Sequence, residues 1–346
     1  MTAQPIAILG AGMMTGVGLT AEASCAAIRC GIDNFQETRF MGDGGEWLLG
    51  CEVPLEQPWR GQTKLVKMLA GPLRECLEQV PGVPPRDIPL LLNLAERDRP
   101  GRLDGLSNSF YHALTQEIGS HFHRDSQLIA GGRVGGALAM QRARELLYRA
   151  EEPHAQVLVA GVDSLLVGPT LNAYLERNRL LTAENSNGFI PGEAGAVVLL
   201  SRPRSDRPGA LLCSGLGFAT ETATIDSEEP LRAEGLVQAI KAALGEAGRD
   251  MAEMDFRLTD VSGEHYVFKE AALALTRVLR ERKEEFDIWH PADCIGEVGA
   301  AALPCMLGVA MFAARKDYAP GPSILCHLGN DDGQRAALVV QQPGSA

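Results

Sequence analysis

Residues 127–148 read QLIAGGRVGGALAMQRARELLY. Four extended, mostly apolar residues run into Gly-Gly, and beyond them small and aliphatic residues recur at helical spacing. The stretch is a strand (Gln127 to Ala130), a glycine-rich turn and a helix predicted over Ala137 to Ala150. Its surroundings repeat the alternation. Upstream, strands are expected at Pro5 to Gly10 and at Leu90 to Leu94, the latter apolar but for Asn93, as a strand covered on both faces should be. Helices are expected at Ala21 to Arg29, capped by Thr20 and ended by Gly31, at Lys64 to Val80 and at Ser109 to Ile118. Asp43 to Pro58 reads as a loop with an edge strand, and Ala95 to Gly105 as a surface loop.

Downstream, VLVAGVDSL (157–165) and the apolar part of GFIPGEAGAVVLLSRP (188–203) are buried strands separated by a polar stretch. After a charged linker, Arg202 to Pro208, the pattern restarts with GALLCSGLGF (209–218). Helices over Leu231 to Ala247, Lys269 to Arg282 and Ala300 to Arg315 then alternate with a strand at Asp255 to Val261, and Ile324 to Gly329 and Arg335 to Gln341 close the chain as a strand pair. Strands alternating with helices imply an α/β fold with right-handed crossovers and a mainly parallel sheet. The restart divides the chain into two similar halves, 1–204 and 205–346.

Composition narrows the function classes. The 346 residues are 45% hydrophobic and 22% charged, with a net charge of −12. Such a balance fits a soluble globular protein and argues against a general nucleic-acid binder, which presents a basic face to phosphates. Eight cysteines without any C-x-x-C pair read as free thiols in a reducing, cytoplasmic setting. The first residues resemble a strand and not a signal peptide, and no apolar run approaches the roughly 18 residues of a membrane span. Gly10, Gly12, Gly16 and Gly18 suggest a dinucleotide turn, but no acidic residue closes a second strand at the required distance. His121 and His123 in HFHRD have a ligand-like spacing; with no further ligand nearby in sequence they read as a solvated turn, so neither metal nor cofactor is expected.

The ordered segments resemble one family. PIAILGAGMMTGVGLTAEASCAAIRCGIDNFQETRF (5–40) is similar to the first strand, turn and helix of β-ketoacyl-acyl-carrier-protein synthases. VAGVDSL and GFIPGEAGAVVLLSRP resemble that family's conserved strand and G-F-x-x-G-E-G-A-G segment, and ADCIGEVGAA (292–301) the frame around its second catalytic histidine. The resemblance implies a thiolase-type fold of two α/β halves in five layers, helix, sheet, helix, sheet, helix, usually dimeric. It also implies chemistry in which a cysteine at a helix start takes the acyl chain and two histidines assist decarboxylation.

At the positions matching that machinery this chain differs. Arg133, fixed by Gly136 and Ala137 behind it, stands for the cysteine, Ser262 and Asp293 for the histidines, Ile288 for a lysine, and Asn330 for the oxyanion-loop phenylalanine. A guanidinium stays protonated and is not acylated. We expect Arg133 to pair with Asp293, or with Glu297 or Glu264, unless it turns to solvent or to backbone carbonyls. Cys294, His265 and His290 are candidates for a displaced catalytic set. Three functions stay open: an inactive accessory or scaffold protein, such as those accompanying bacterial secretion effectors; a chain-length-factor-like partner subunit of an active ketosynthase; or an acyltransferase using displaced residues. The expected partners are a second copy, an effector, a ketosynthase or an acyl carrier protein. An acidic carrier would need a basic patch such as Arg60, Lys64 and Lys67 at one entrance.

Overall fold

The structure, a computed structural model, describes residues 4–42, 44–204 and 210–343. In chain order the elements around the centre are β1 (Ile6–Thr15), α1 (Ala21–Arg29), β2 (Gln36–Met41), β3 (Trp47–Gly50), α2 (Gly61–Glu78), β4 (Leu90–Leu94), α3 (Asn108–Ile118), β5 (Gln127–Ala130) and α4 (Gly132–Tyr148). There follow β6 (Gln156–Ser164), α5 (Gly168–Glu176), β7 (Glu193–Ser201), β8 (Leu211–Thr220), α6 (Glu234–Ala247), β9 (Phe256–Thr259) and α7 (His265–Val278). β10 (Ile288–Trp289), α8 (Ala292–Ile295), α9 (Ala302–Arg315), β11 (Ser323–Gly329) and β12 (Gln334–Gln341) complete the described chain.

Ten strands connect in the order β10-β9-β11-β12-β8-β1-β7-β6-β4-β5. The strands on one side of the β1–β8 junction all precede residue 204, and those on the other all follow it. β1 joins the two sides by pairing with β8 over Ile6 to Ile8 and with β7 along nearly its whole length. The pairing is mixed: β4 is parallel to β5 and β6, and β9 to β10 and β11, whereas β1, β7, β8 and β12 pair antiparallel. The mainly parallel sheet expected from the alternation is therefore corrected: the neighbours from β6 through β7, β1, β8 and β12 to β11 all pair antiparallel, and only the outer strands pair parallel.

Layering follows from which way alternate side chains point. Val157 and Val159 of β6 pack in one core with α4 and α9, while Leu158 and Ala160 pack in a second with α2 and α3. Leu338 and Val340 of β12 join the first core, while Ala337 and Val339 pack with α6 and α7. Helices α4 and α9 thus form a middle layer between two sheet regions, with α2/α3 and α6/α7 outside. This is the five-layer α/β arrangement of a thiolase-like fold.

Element limits differ from the sequence reading for local reasons. β1 continues through Gly10 and Gly12 because these are contact points and not a turn: a Cβ on Gly12 would lie 2.2 Å from the Pro72 carbonyl oxygen of α2. α4 begins at Gly132, ahead of the expected Ala137, because two asparagines hold the glycines of its first turn. α7 starts at His265 and ends at Val278, earlier than expected at both ends. β3 is the edge strand expected between Asp43 and Pro58, β2 lies just ahead of it where no element was assigned, and α5 falls in the stretch read as polar. Part of the charged linker, like Asp43, lies outside the described residues.

Candidate functional site

The centre of the site is the N-terminus of α4. Gly131 is its cap residue, and Gly132 has φ +55°, a conformation that favours glycine. Asn93, fully buried on β4, accepts from Gly131 N–H at 3.3 Å and donates to the carbonyls of Gly132 (2.7 Å) and Ala300 (2.9 Å). From the β11–β12 turn, Asn330 donates to Gly131 O at 2.9 Å, and its Oδ1 accepts from Val134 N–H at 3.1 Å. That N–H is one of the four a helix start leaves free, and a side-chain oxygen already occupies it.

Arg133, the second residue of α4, reaches three carboxylates. Nη2 lies 2.8 Å from Asp331, Nη1 3.1 Å from Glu297 and Nε 3.6 Å from Asp260. Asp331 also receives Arg179 Nη1 at 2.6 Å, and Arg179 binds Glu264 through two bonds of 2.8 and 2.7 Å. Ser262 donates to Glu297 at 3.1 Å. Beside this chain, Arg99 grips Glu96 at 2.9 and 2.6 Å and Asp163 at 2.7 Å. Voids of only about 20 Å³ flank the Arg133 guanidinium, so the site is filled by its own side chains.

The charges are unevenly matched, and the protonation reflects it. Arg133 and Arg179 face Asp260, Glu264, Glu297 and Asp331, two cations for four carboxylates. The two guanidiniums hold Asp331 well below the usual carboxylate range in spite of its burial. Burial pushes Asp260 up to about 7, against the pull of Arg133, and the Glu297 carboxylate adds to the rise. Asp260 is the most distant of the three partners of Arg133, so its burial is the least compensated.

Other expected site residues fall elsewhere. Asp293 does not partner Arg133: it lies on the short helix α8, 66% exposed, with His290 Nδ1 2.9 Å from its carboxylate. Glu264 is engaged by Arg179. Cys294 is buried, its thiol pushed up to about 11 by burial and then by Asp293, and its sulfur points to Ile28 O at 4.0 Å. It shares a cavity of about 450 Å³ with His290, whereas His265 is exposed and its backbone N–H bonds Asn187. No described hydrogen bond joins Cys294 to either histidine. The Arg60, Lys64 and Lys67 patch is not a free one: Lys64 is held by Glu52 and by fully buried Glu193, and Lys67 lies 2.7 Å from Glu117. Arg179, Asp260 and Asp331 escaped the sequence reading; the only available signal was Asp331 beside Asn330 and Asp260 two residues before Ser262.

Solved structures share this architecture along their whole length. A type II polyketide acyl-carrier protein in complex with its ketosynthase bound to the hexaketide (AntDE:AntF) aligns with a TM-score of 0.82 at 13% identity, covering 99% of this chain and 100% of that one. The ketosynthase ApeO in complex with its chain length factor ApeC, from Xenorhabdus doucetiae, aligns at 0.72 and 14%, covering 98% of each chain. The chain has the ketosynthase fold. The ishigamide ketosynthase/chain length factor aligns at 0.72 and 17% identity, over 98% of this chain and 99% of that one. In sequence, a putative polyketide β-ketoacyl synthase 2 of Streptomyces cyaneus is 28% identical over 234 residues, 63% of this chain. The match spans about half, 55%, of that relative's length. No family model matches. Among the described residues no helix is long and apolar enough to cross a membrane.

Proposed function

We propose that this chain is a non-acylating subunit with the ketosynthase fold that pairs with an active ketosynthase, as a chain length factor does. The observation that carries the reading is Arg133: at the helix start where the resemblance places a nucleophile, it is clamped by Asp331, Glu297 and Asp260 in a filled site. An arginine so held has no lone pair to offer an acyl group, and Asn330 takes the Val134 N–H that could otherwise face an oxyanion. Cys294, with its thiol at about 11, offers little thiolate at neutral pH in its place. The relatives in structure include ketosynthase and chain length factor complexes, which supports a ketosynthase as partner over a secreted effector.

A docking edge is available. Among the described residues β5 ends the strand order, hydrogen-bonded to β4 on one side only, and presents an open strand edge two glycines ahead of Arg133. Purification of the tagged chain from its own cells, with native mass spectrometry, tests the reading. It predicts a one-to-one complex with a chain carrying a ketosynthase cysteine. A stable homodimer with no second chain would overturn it.

A further inference from the structure

The loop ahead of β5 and the loop behind α4 meet at one end of the sheet and bring together two histidines and an aspartate. His123 and Asp125 come from the first loop, and His154 from the second, about thirty residues away in sequence. The two rings stand edge to face with centroids 4.5 Å apart. His154 Nε2 lies 2.8 Å and His123 Nδ1 3.7 Å from the same Asp125 oxygen, and one ligand atom from each residue falls within 4.8 Å of the others. Ligands at about 2.0–2.1 Å around a tetrahedral ion sit about 3.3 Å from one another. The two observed separations bracket that edge.

The backbones holding these side chains are fixed. His123 N–H bonds Ile88 O at 3.1 Å, Ser126 Oγ donates to His123 O at 2.6 Å, and His154 N–H bonds Leu146 O at 3.1 Å. His123 Nδ1 accepts from Asp125 N–H at 3.1 Å, which puts the ring proton on Nε2 and the lone pair on Nδ1; an ion bound there replaces that bond. In the loop before His154, Glu152 adopts φ 49°, a left-handed conformation unusual for glutamate, and Arg149 bonds the carbonyls of Glu151 and Glu152. Arg149 Nη1 also lies 3.1 Å from Asp125, so a cation already answers this carboxylate.

We propose that His123 Nδ1, His154 Nε2 and an Asp125 carboxylate oxygen form a three-ligand site for a divalent transition cation, with Zn²⁺ the fitting ion and the fourth position open to water. Two imidazoles and one carboxylate suit a borderline ion over Ca²⁺ or Mg²⁺, which take oxygen ligands. His154 is nearly buried, whereas the His123 and Asp125 side chains are 27% and 22% exposed, leaving one side of the cluster open for entry and for a water ligand. His121, the other histidine of HFHRD, is exposed and outside the cluster. The ion takes the place of the proton shared by His154 Nε2 and Asp125, which is released or moves to His154 Nδ1, displaces Arg149 from Asp125 and from His154 Nε2, 3.5 Å away, and ties the start of β5 to the end of α4. The inference stands independently of the proposed function.

The test is titration of the dialysed full chain with ZnCl₂ by calorimetry, and with CoCl₂ by absorption. The site predicts one ion per chain and a visible cobalt spectrum without thiolate charge transfer. His123→Ala, Asp125→Asn and His154→Gln should each weaken binding about tenfold or more. His121→Ala should leave it unchanged, and Arg149→Gln should keep or tighten it. Circular dichroism checks each variant's fold; if His154→Gln unfolds, His123→Ala on the open side decides. Absence of saturable one-to-one binding, binding unchanged in His123→Ala, or a cobalt-thiolate band would overturn the site.

Discussion

Arg133 and Arg179 share one carboxylate: Asp331 receives Nη2 of the first at 2.8 Å and Nη1 of the second at 2.6 Å. The β11–β12 turn is thereby tied both to the start of α4 and to the segment after α5. Removing the shared anion leaves two largely buried guanidiniums facing each other across the turn.

Asp331→Asn should therefore lower stability by about 3 kcal/mol, the range for breaking a buried pair on one side. Arg133→Met should cost a similar amount, and the double variant clearly less than the sum. Urea denaturation of the four proteins measures the coupling; additive losses would mean that the two residues do not interact in the folded chain.

Stability should depend on pH in two windows. Asp331 has a depressed folded pKa, so its contribution is present above the unfolded value near 3.9 and is lost as pH falls below it. Asp260 is the opposite case. Between about 4 and 7 the folded chain keeps a proton on Asp260 that the unfolded chain releases, so stability declines as pH rises through that window. Asp260→Asn should flatten this decline and leave the protein more stable than the wild type above pH 7. Thermal melts across pH read both windows, and an unchanged slope in Asp260→Asn would contradict the assignment.

Placing a cysteine at position 133 should not create an acylation site. In Arg133→Cys the thiol would face Asp260 and Glu297 without their cation, and Asp331 held only by Arg179, which raises its pKa, and Asn330 would still hold Val134 N–H. Intact mass after incubation with an acyl-carrier thioester should show no adduct; stoichiometric acylation would show that the site needs only its nucleophile.

If β5 is the docking edge, its open-side amides should become protected when the ketosynthase partner binds. Hydrogen exchange over residues 127–130, alone and in the complex, measures this. Protection that appears elsewhere while β5 stays unchanged would move the interface off this strand.

Much of the fold was legible because burial leaves a periodic trace. Leu90 to Leu94, apolar but for Asn93, is buried throughout, and α1 runs from its Thr20 cap to Arg29 as the capping residues imply. The start of α4 was not legible, since the bonds that hold Gly131 and Gly132 come from Asn93 and Asn330, distant in sequence. The ion-pair chain left even less trace. Arg179 and Asp260 look like ordinary surface charges in a linear reading, and only the fold turns them inward. Asp293 misled for the complementary reason: the resemblance puts it at a site position, but on α8 it points outward to His290.

With an ion pair at the start of α4, no acyl group should be accepted there. Intact-mass spectrometry of the pure wild-type chain, after long incubation with malonyl- and acyl-carrier thioesters, tests it most directly. The unmodified mass is expected throughout. A stoichiometric thioester adduct would contradict it.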